Sequence, residues 1–366
     1  MKKLIHLVTA ARPNLMKARC LYHSLDNIDN FDVKLVHTGQ HYDESLFHDF
    51  LKTFKLPKPH ISLEIGSGSH ASQLGRTMMA YDEILNQSKP DLVIVIGDVN
   101  ATLACAIVAQ RRGVLLAHLE AGLRSFDRQM PEELNRILTD QLADICWTSS
   151  KDADLNLQNE GIPLSRVKRV GNTMIDTLFS ELDKAQQLRC YQRFGLEEKA
   201  YFFVTLHRPS NVDDIVSLNK ICMCLKRLSR KNKIVFSLHP RTKKNLTDMK
   251  LISDLESVPQ LILLDPCSYH DCISFMLNAK AIITDSGGLQ EESSVLGVPC
   301  LTLRNNTERP ITLTEGSNRL VNIENIEVAV KEIAKLKQES SKIEYWDGQT
   351  HVRISAHVKQ LLLKND

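Results

Sequence analysis

Three carboxylate side chains in the first half of the sequence each follow an apolar segment, a placement typical of catalytic acids and bases. They are Asp98, Glu120 and Glu132. Polar groups that follow parallel strands gather at one edge of the sheet, so we expect these three to converge and to exchange protons with a ligand. A structural interpretation stays open for each carboxylate. An acidic residue after a proline suits the first turn of a helix, and Arg124 or Arg136 would neutralise a carboxylate without any catalytic role.

The second half contains a segment suited to binding an anion. The apolar segment 281–284 is followed, after one aspartate, by Ser286, Gly287 and Gly288, and then by a helical pattern. Glycines allow the backbone to approach a ligand closely, and the free N–H groups at a helix start attract phosphate. Glu292 lies one turn further on and suits hydrogen bonds from sugar hydroxyls. A simple tight turn between a strand and a helix is the alternative interpretation.

Three basic residues follow apolar segments or lie one turn into a helical pattern. Arg12 comes after the first apolar segment, and its guanidinium matches phosphate oxygens in pairs. Lys17 is placed to face the same ligand from the first helical turn. His207 follows a later apolar segment and can donate to a phosphate or to a leaving oxygen. A surface charge, or a histidine bonded within the core, is the alternative in each case.

Short apolar, β-branched segments alternate with longer amphipathic stretches along the whole chain, and this alternation indicates βαβ units. Continuous apolar strands predict parallel sheets that are covered on both faces. The fold class is therefore α/β, with two doubly wound Rossmann-like domains expected to face each other across a cleft. The predicted strands are 4–9, 33–38, 92–96, 114–118 and 145–148, and then 201–205, 234–238, 261–264, 281–284 and 299–303.

A chain of 366 residues is long enough for two domains, each with its own core. We expect an N-terminal Rossmann-like domain over residues 1–168, which carries the carboxylates. The second Rossmann-like domain, over 169–350, carries the anion-binding turn. The last segment, 351–366, has a helical pattern and is expected to pack back on the first domain.

The composition excludes several classes of partner. A net charge of +2, from 46 Lys and Arg against 44 Asp and Glu, gives no reason to expect a nucleic acid or a membrane surface as partner. No apolar run reaches the roughly 18 residues that a membrane-spanning helix needs. Nine scattered cysteines indicate free thiols in a reducing compartment, so we expect a cytoplasmic protein. Their spacing does not match a zinc site, and no metal is expected.

Taken together, the polar segments occur in an order that resembles the non-hydrolysing UDP-N-acetylglucosamine 2-epimerases across nearly the whole chain. This family has the two-Rossmann-domain architecture of GT-B glycosyltransferases. The segments are Ala11-Arg12-Pro13-Asn14 with Lys17, His37-Thr38-Gly39-Gln40-His41-Tyr42, Gly97-Asp98, His118-Leu119-Glu120-Ala121-Gly122-Leu123-Arg124-Ser125, Pro131-Glu132-Glu133-Leu134-Asn135-Arg136, Gly171-Asn172-Thr173, Leu206-His207-Arg208, Thr284-Asp285-Ser286-Gly287-Gly288-Leu289-Gln290-Glu291-Glu292 and Thr307-Glu308-Arg309-Pro310.

The resemblance implies an enzyme that interconverts UDP-GlcNAc and UDP-ManNAc. Such an enzyme removes the C2 proton and expels UDP to give a 2-acetamidoglucal, and then returns both to the sugar with the opposite configuration at C2. It needs no metal, nicotinamide or other cofactor, and the family likeness suggests a homodimer. The site residues carried over are, for catalysis, Asp98, Glu120, Glu132 and His207 and, for substrate binding, Arg12, Lys17, Ser286, Gly287, Gly288, Glu292 and Arg309.

The sequence also departs from the family pattern and leaves alternatives open. The family often has Gly-Thr where this chain has Ala10-Ala11, and Glu where it has Asn14. The segment 238–242 differs from that of members regulated by their own substrate, and it also resembles epimerases of UDP-2,3-diacetamido-glucuronate. The segments 308–310 and 318–321 favour the N-acetylglucosamine branch. A hydrolysing epimerase that releases ManNAc and UDP, a GT-B glycosyltransferase and a catalytically silent UDP-sugar sensor are the remaining alternatives.

Overall fold

A computed structural model describes residues 2–39, 47, 51–333 and 342–363, without the side chain of Arg12. The chain divides into two compact units, Met1–Thr177 with Glu344–Asp366, and Leu178–Ile343. The boundaries predicted from the sequence, after residues 168 and 350, therefore differ from those of the structure by several residues. One continuous helix, Thr173–Leu188, runs through the first boundary, and it contains neither glycine nor proline to mark that boundary in the sequence.

The first unit contains a seven-stranded parallel sheet in the order β3-β2-β1-β4-β5-β6-β7. Strand β4 is the apolar run Leu-Val-Ile-Val-Ile, and all five side chains are buried, as expected for a strand covered on both faces. The chain order reverses between β1 and β4, which is where ligands of doubly wound sheets bind. The strands are β1 Lys3–Thr9, β2 Phe31–His37, β3 Ile61–Ser62, β4 Leu92–Ile96, β5 Leu115–Ala121, β6 Ile145–Thr148 and β7 Val167–Arg169.

Helices follow these strands and begin at the carboxyl edge of the sheet. The helix after β1 starts with Pro13 in its first turn, and the one after β4 starts at Asn100. The helices are α1 Arg12–Asp26, α2 His70–Gln87, α3 Asn100–Arg111, α4 Pro131–Leu142, α5 Lys151–Asn159 and α6 Thr173–Leu188. Because β1, β4 and β5 are neighbours in the sheet, the residues that follow them lie close together.

The second unit contains a six-stranded parallel sheet in the order β10-β9-β8-β11-β12-β13, which reverses between β8 and β11. The predicted α/β class with two doubly wound parallel sheets is therefore confirmed. The strands are β8 Tyr201–Thr205, β9 Lys233–Ser237, β10 Leu261–Leu264, β11 Ala281–Thr284, β12 Cys300–Leu303 and β13 Asn318–Val321. The helices are α7 Pro209–Val212, α8 Ile215–Ser229, α9 Pro240–Asp248, α10 Ile252–Glu256, α11 Tyr269–Asn278, α12 Gly287–Leu296, α13 Ile311–Thr314 and α14 Ile326–Ile333.

The last helix, α15 (Thr350–Leu363), belongs to the first unit. It packs on α1, where the hydroxyls of Ser24 and Ser355 lie 2.8 Å apart. Just before it, the Trp346 indole N–H donates to the carbonyl of Ser149 at 2.8 Å. Within the part of the chain that the structure describes, no helix is both long and apolar enough to cross a membrane.

Three strands of the structure were not predicted, and all three are edge strands. β3 and β7 end the first sheet, and β13 ends the second. They are two, three and four residues long, and none of them is fully buried. An edge strand needs an apolar surface on fewer sides, so its sequence lacks the continuous apolar run that revealed the central strands.

Candidate active site

Glu120 is a buried carboxylate at the end of β5, and Lys17 from α1 donates a hydrogen bond to its Oε2 atom. Only 5% of Glu120 is exposed. Its other oxygen, Oε1, is buried and has no hydrogen-bond partner in the described part of the chain. A buried carboxylate oxygen without a donor is uncommon and costly in a folded protein, so this atom is suited to accept a proton or a ligand hydrogen bond.

The backbone at Glu120 has an unusual conformation that changes the direction of this side chain. The pairing of β5 with β6 shifts register between Leu119 and Ala121, and Glu120 has a φ of 72°. Such a bulge turns one side chain away from the regular alternation of a strand. A left-handed conformation at a residue other than glycine is strained, and strain of this kind gathers at functional sites.

Gly97 follows β4 and has no side chain, and the Glu120 carboxylate occupies the space beside it. A Cβ atom on Gly97 would lie 3.2 Å from Glu120 Oε2 and 3.7 Å from Lys17 Nζ. Gly97 itself has a φ of 71°, which favours glycine on conformational grounds as well. The structure thus brings the segment that carries Asp98 next to Glu120, as the sequence predicted.

Asp98 is neutralised by Arg136 of α4, which is the pairing that the sequence analysis left open. Arg136 NH1 lies 2.5 Å from Asp98 Oδ2, and about a third of the Asp98 side chain is exposed, at 34%. The same guanidinium binds Glu133, which also accepts from the N–H and hydroxyl of Ser125. Burial alone would raise the pKa of Glu133, but the Ser125 N–H and Arg136 lower it below its usual value. Glu133 therefore holds the loop before α4 in place.

Glu132 lies in the first turn of α4 and is half-buried. Among the described residues its carboxylate forms no hydrogen bond or ion pair, so the structure does not tie it to Asp98 or Glu120. Its catalytic role stays a prediction. The same holds for Arg12, which begins α1 but whose side chain lies outside the described residues, as do Gln40, His41 and Tyr42.

In the second unit, β11 leads into α12 through Asp285 and Ser286. Ser286 is the N-cap of the helix, and Gly287 and Gly288 form its start. The first N–H groups of a helix have no partner within the helix, and together with the helix dipole they attract an anion. The turn therefore has the local geometry that the sequence predicted for a phosphate site.

Asp285 links this turn to the segment after β8. Its carboxylate accepts hydrogen bonds from the N–H groups of His207 and Arg208 and from Asn211 Nδ2. The imidazole Nδ1 of His207 lies 3.1 Å from Asp285 Oδ1, while 37% of the His207 side chain stays exposed. Burial would raise the pKa of Asp285, but His207 and the other donors lower it. His207 is thus anchored at one ring nitrogen beside the Ser286 turn.

Arg309 lies against the start of α12 and is fixed by two carboxylates. Its Nε and NH1 atoms lie 2.5 Å from Glu291 Oε1 and Glu308 Oε1. Glu308 also accepts from Arg304 at 2.7 Å. Burial would raise the pKa of Glu308, but Arg309 and Arg304 hold it far below its usual range. Sequence reasoning selected Arg309 and missed Arg304, Glu291 and Glu308, although the mixture of charges directly after β12 was a usable signal.

Glu292 is buried further along α12, where the hydroxyl of Tyr269 donates to Oε1 at 2.7 Å. Burial raises the pKa of Glu292 to about 7, and the hydrogen bond from Tyr269 lowers it only in part. Near neutral pH this carboxyl group therefore exists in both protonation states.

A ligand whose hydroxyls donate to the ionised form of Glu292 should bind with a pH-dependent affinity. With a pKa of about 7 in the free protein, the affinity for UDP is expected to fall about tenfold between pH 8 and pH 6, because the competing proton must leave first. Isothermal titration calorimetry with UDP at several pH values measures this. Glu292→Gln, which cannot ionise, should bind more weakly at pH 8 and show a smaller pH slope. The titration of UDP itself contributes equally in both proteins. An equal pH slope of UDP affinity in the wild-type protein and in Glu292→Gln would therefore contradict the proposed contact between Glu292 and the hydroxyls of the ligand.

Comparisons with known proteins show the family of this chain. A family model described as UDP-N-acetylglucosamine 2-epimerase matches residues 23–359. A UDP-N-acetylglucosamine 2-epimerase of Methanococcus maripaludis is 41% identical over 321 residues, which cover 86% of this chain and 87% of that protein. A UDP-2,3-diacetamido-2,3-dideoxy-D-glucuronate 2-epimerase of Pseudomonas aeruginosa is 35% identical and covers 97% of this chain and 99% of that protein.

A solved structure is similar over nearly the whole chain. The crystal structure of the Methanocaldococcus jannaschii UDP-GlcNAc 2-epimerase, in complex with UDP-GlcNAc and UDP, superposes with a TM-score of 0.89 at 37% sequence identity. The similarity covers 98% of this chain and 99% of that one. The fold is therefore shared with a protein whose crystal structure holds these two ligands.

Proposed function

Because the chain belongs to the UDP-N-acetylglucosamine 2-epimerase family, we propose that it interconverts UDP-GlcNAc and UDP-ManNAc. The observation that carries this proposal is the buried Glu120 carboxylate, which is paired with Lys17 and whose other oxygen accepts no hydrogen bond from any described residue. Such a group is poised to move a proton at a sugar carbon. The similar enzyme from Methanocaldococcus jannaschii binds UDP-GlcNAc and UDP, which supports the choice of substrate.

The proposed reaction breaks and forms bonds without any change in oxidation state. The C2 proton of the sugar passes to a carboxylate while the C1–O bond to UDP breaks, and a C1=C2 double bond forms. In the return step UDP adds to C1 and a proton adds to the other face of C2. The C2 proton is not acidic, so its loss depends on stabilising the negative charge that develops on the departing diphosphate.

Asp98, Glu120 and Glu132 of the first unit act as acids and bases at C2, a role that positioned carboxylates fill in many enzymes. The Arg136 and Lys17 partners support the assignment for Asp98 and Glu120, because their ion pairs orient the two carboxylates.

The diphosphate is bound by His207, Arg309 and the Ser286-Gly287-Gly288 turn, together with Arg12. The anchored His207 ring and the fixed Arg309 guanidinium beside that turn support this assignment. Preorganised donors of this kind stabilise developing charge without rearranging during the reaction. Glu292 accepts hydrogen bonds from the ribose hydroxyls.

Proton NMR of a reaction in D2O tests the proposed function. UDP-GlcNAc incubated with the protein should yield UDP-ManNAc, with deuterium at C2 of the sugar. Free ManNAc with an equal amount of UDP would instead indicate a hydrolysing epimerase. Transfer of the sugar to an added acceptor without deuterium at C2 would indicate a glycosyltransferase. Binding of UDP without any exchange at C2 would indicate a sensor.

A related substrate is the second candidate, because the Pseudomonas aeruginosa relative acts on UDP-2,3-diacetamido-2,3-dideoxy-D-glucuronate by name and is 35% identical. The two sugars differ at C3 and C6, where the glucuronate has an added acetamido group and a carboxylate. A comparison of kcat/KM for the two UDP-sugars decides between them. Our proposal expects the higher value for UDP-GlcNAc.

The protein acts as a homodimer in the cytoplasm. Four large apolar side chains are exposed on α2, on α4 and in the loop before α4, which supports a surface that a second copy covers: Met79, Phe126, Leu134 and Leu138 are 64%, 76%, 38% and 49% exposed. Light scattering during size exclusion should give twice the mass of one chain. All nine cysteines lie within the described residues and are thiols rather than disulfides, which supports a reducing compartment.

A further inference from the structure

The turn that carries Asp98 is held by side chains from four different elements. Residues 96–98 comprise the last residue of β4 and the two that follow it, and each of their three carbonyl oxygens accepts a hydrogen bond from a buried side chain. Asn14 of α1 donates to the first carbonyl at 3.1 Å, His118 of β5 lies 2.8 Å from the second, and Asn135 of α4 donates to the third at 2.9 Å. Thr102 of α3 also donates to the first. These donors are between 0% and 5% exposed.

His118 forms hydrogen bonds through both of its ring nitrogens. Nε2 faces the Gly97 carbonyl, which can only accept, so Nε2 carries a proton. Nδ1 lies 2.6 Å from Asp140 Oδ1. Burial would raise the pKa of Asp140, but His118 and Arg124 lower it. The other Asp140 oxygen accepts from the Gly122 N–H at 3.1 Å and lies 2.7 Å from Arg124.

This turn and the Glu120 bulge are directly connected by a hydrogen bond and by side-chain contact. The Gly97 N–H donates to the carbonyl of Leu119 at 3.0 Å. The Glu120 carboxylate fills the space over Gly97. Through Asp140, His118 is also connected to Gly122, on the other side of the bulge. A shift of the turn would therefore displace the carboxylates of both Asp98 and Glu120.

We propose that Asn14, His118 and Asn135 are positioning residues that fix the turn 96–98, and with it both carboxylates, in the geometry needed for proton transfer at C2. We call this set of three donors the carbonyl clamp. The catalytic half of the proposal rests on the proposed function, whereas the structural half does not. The alternative is that these buried polar groups only stabilise the fold.

Two substitutions at His118 distinguish positioning of the carboxylates from stabilisation of the fold. Each substitution keeps one of the two hydrogen bonds of His118. The amide nitrogen of Gln reaches the position of Nε2, so His118→Gln keeps the bond to Gly97. The amide nitrogen of Asn reaches the position of Nδ1, so His118→Asn keeps only the bond to Asp140. We expect His118→Asn to lower kcat by about tenfold or more, since misplacing catalytic groups by an ångström can cost that much or more. The KM should change little, and His118→Gln should restore most of the kcat.

A control variant and a variant at a second clamp position distinguish a specific loss of activity from a general loss of folding. His6 is another buried histidine of the same sheet, with Nδ1 bonded to the Tyr81 hydroxyl at 3.1 Å. His6→Asn should lower the unfolding temperature without changing the kcat of the folded protein. Should His118→Asn fail to fold, Asn135→Ala removes a clamp donor and leaves Asp140 paired. It should lower kcat while KM stays near the wild-type value.

Amide hydrogen exchange gives a measurement that does not depend on activity. Exchange of the segment around Gly97 should be faster in His118→Asn than in His118→Gln, whereas His6→Asn should leave it unchanged. A wild-type protein that does not epimerise UDP-GlcNAc would refute the proposed function, but this exchange pattern would still support the clamp. Equal exchange and equal kcat in the two His118 variants would refute the clamp itself.

Discussion

Replacing Glu120 by glutamine is expected to lower kcat by roughly 100-fold or more, as for other positioned acid and base groups, while UDP binding is retained. The amide keeps the size of the carboxylate but cannot accept a proton. The buried Oε1 atom, which has no hydrogen-bond partner in the described structure, is the atom we expect to receive it. The rate is measured by NMR from the appearance of UDP-ManNAc, and UDP binding by calorimetry.

Asp98→Asn should show the same pattern, because Asp98 is the second carboxylate held at this turn. Asp82→Asn is the matched control. Asp82 pairs with Arg112 on the surface of the same unit, with 43% of its side chain exposed, and its loss should not affect kcat. Full activity in both Glu120→Gln and Asp98→Asn would remove the basis of the site assignment.

Gly287→Ala is expected to weaken UDP binding by about tenfold or more, because an added methyl group displaces Arg309, and hydrogen bonds of charged groups are worth about 1.5–3 kcal/mol each. A Cβ on Gly287 would lie 2.7 Å from Arg309 NH1 and 3.1 Å from Glu308 Oε1. An arginine end can usually move aside. This one is held by Glu291 and Glu308, so it can move only by breaking those bonds.

Calorimetry with UDP measures this effect, and Gly75→Ala is the matched control. Gly75 lies inside α2, where a Cβ would meet no atom within 4 Å. Alanine there should stabilise the helix by up to about 1 kcal/mol and leave UDP binding unchanged. Unchanged affinity in Gly287→Ala would show that Arg309 does not contact the ligand, or that it moves without loss.

The two arginine networks explain why so many charges can be buried at these sites. In the first unit, Arg136 connects Asp98 with Glu133, and in the second, Arg309 connects Glu291 with Glu308. A buried charge is costly unless it is paired and hydrogen-bonded. Removing one member therefore leaves its partner uncompensated, so isosteric substitutions such as Glu to Gln are the informative ones here.

The sequence by itself determined the fold class and predicted the main candidate site residues. The ten predicted strands correspond to the central strands and one edge strand of the two sheets. Strands that are buried on both faces have continuous apolar sequences, which makes them recognisable. Asp98, Glu120, His207 and Ser286 were recognisable because polar residues directly after such strands have few purely structural reasons to be there.

Only the tertiary structure determined which charged groups contact each other and in which direction their side chains point. The register shift that turns Glu120, the pairing of Lys17 with it, and the bonds from His118 to Gly97 and Asp140 all join residues distant in sequence. The unit boundary inside α6 was equally invisible, since no composition change marks it. Local sequence encodes burial and secondary structure through short-range periodicity. Contacts between elements depend on how the whole sheet brings its strand ends together, and no short segment carries that information.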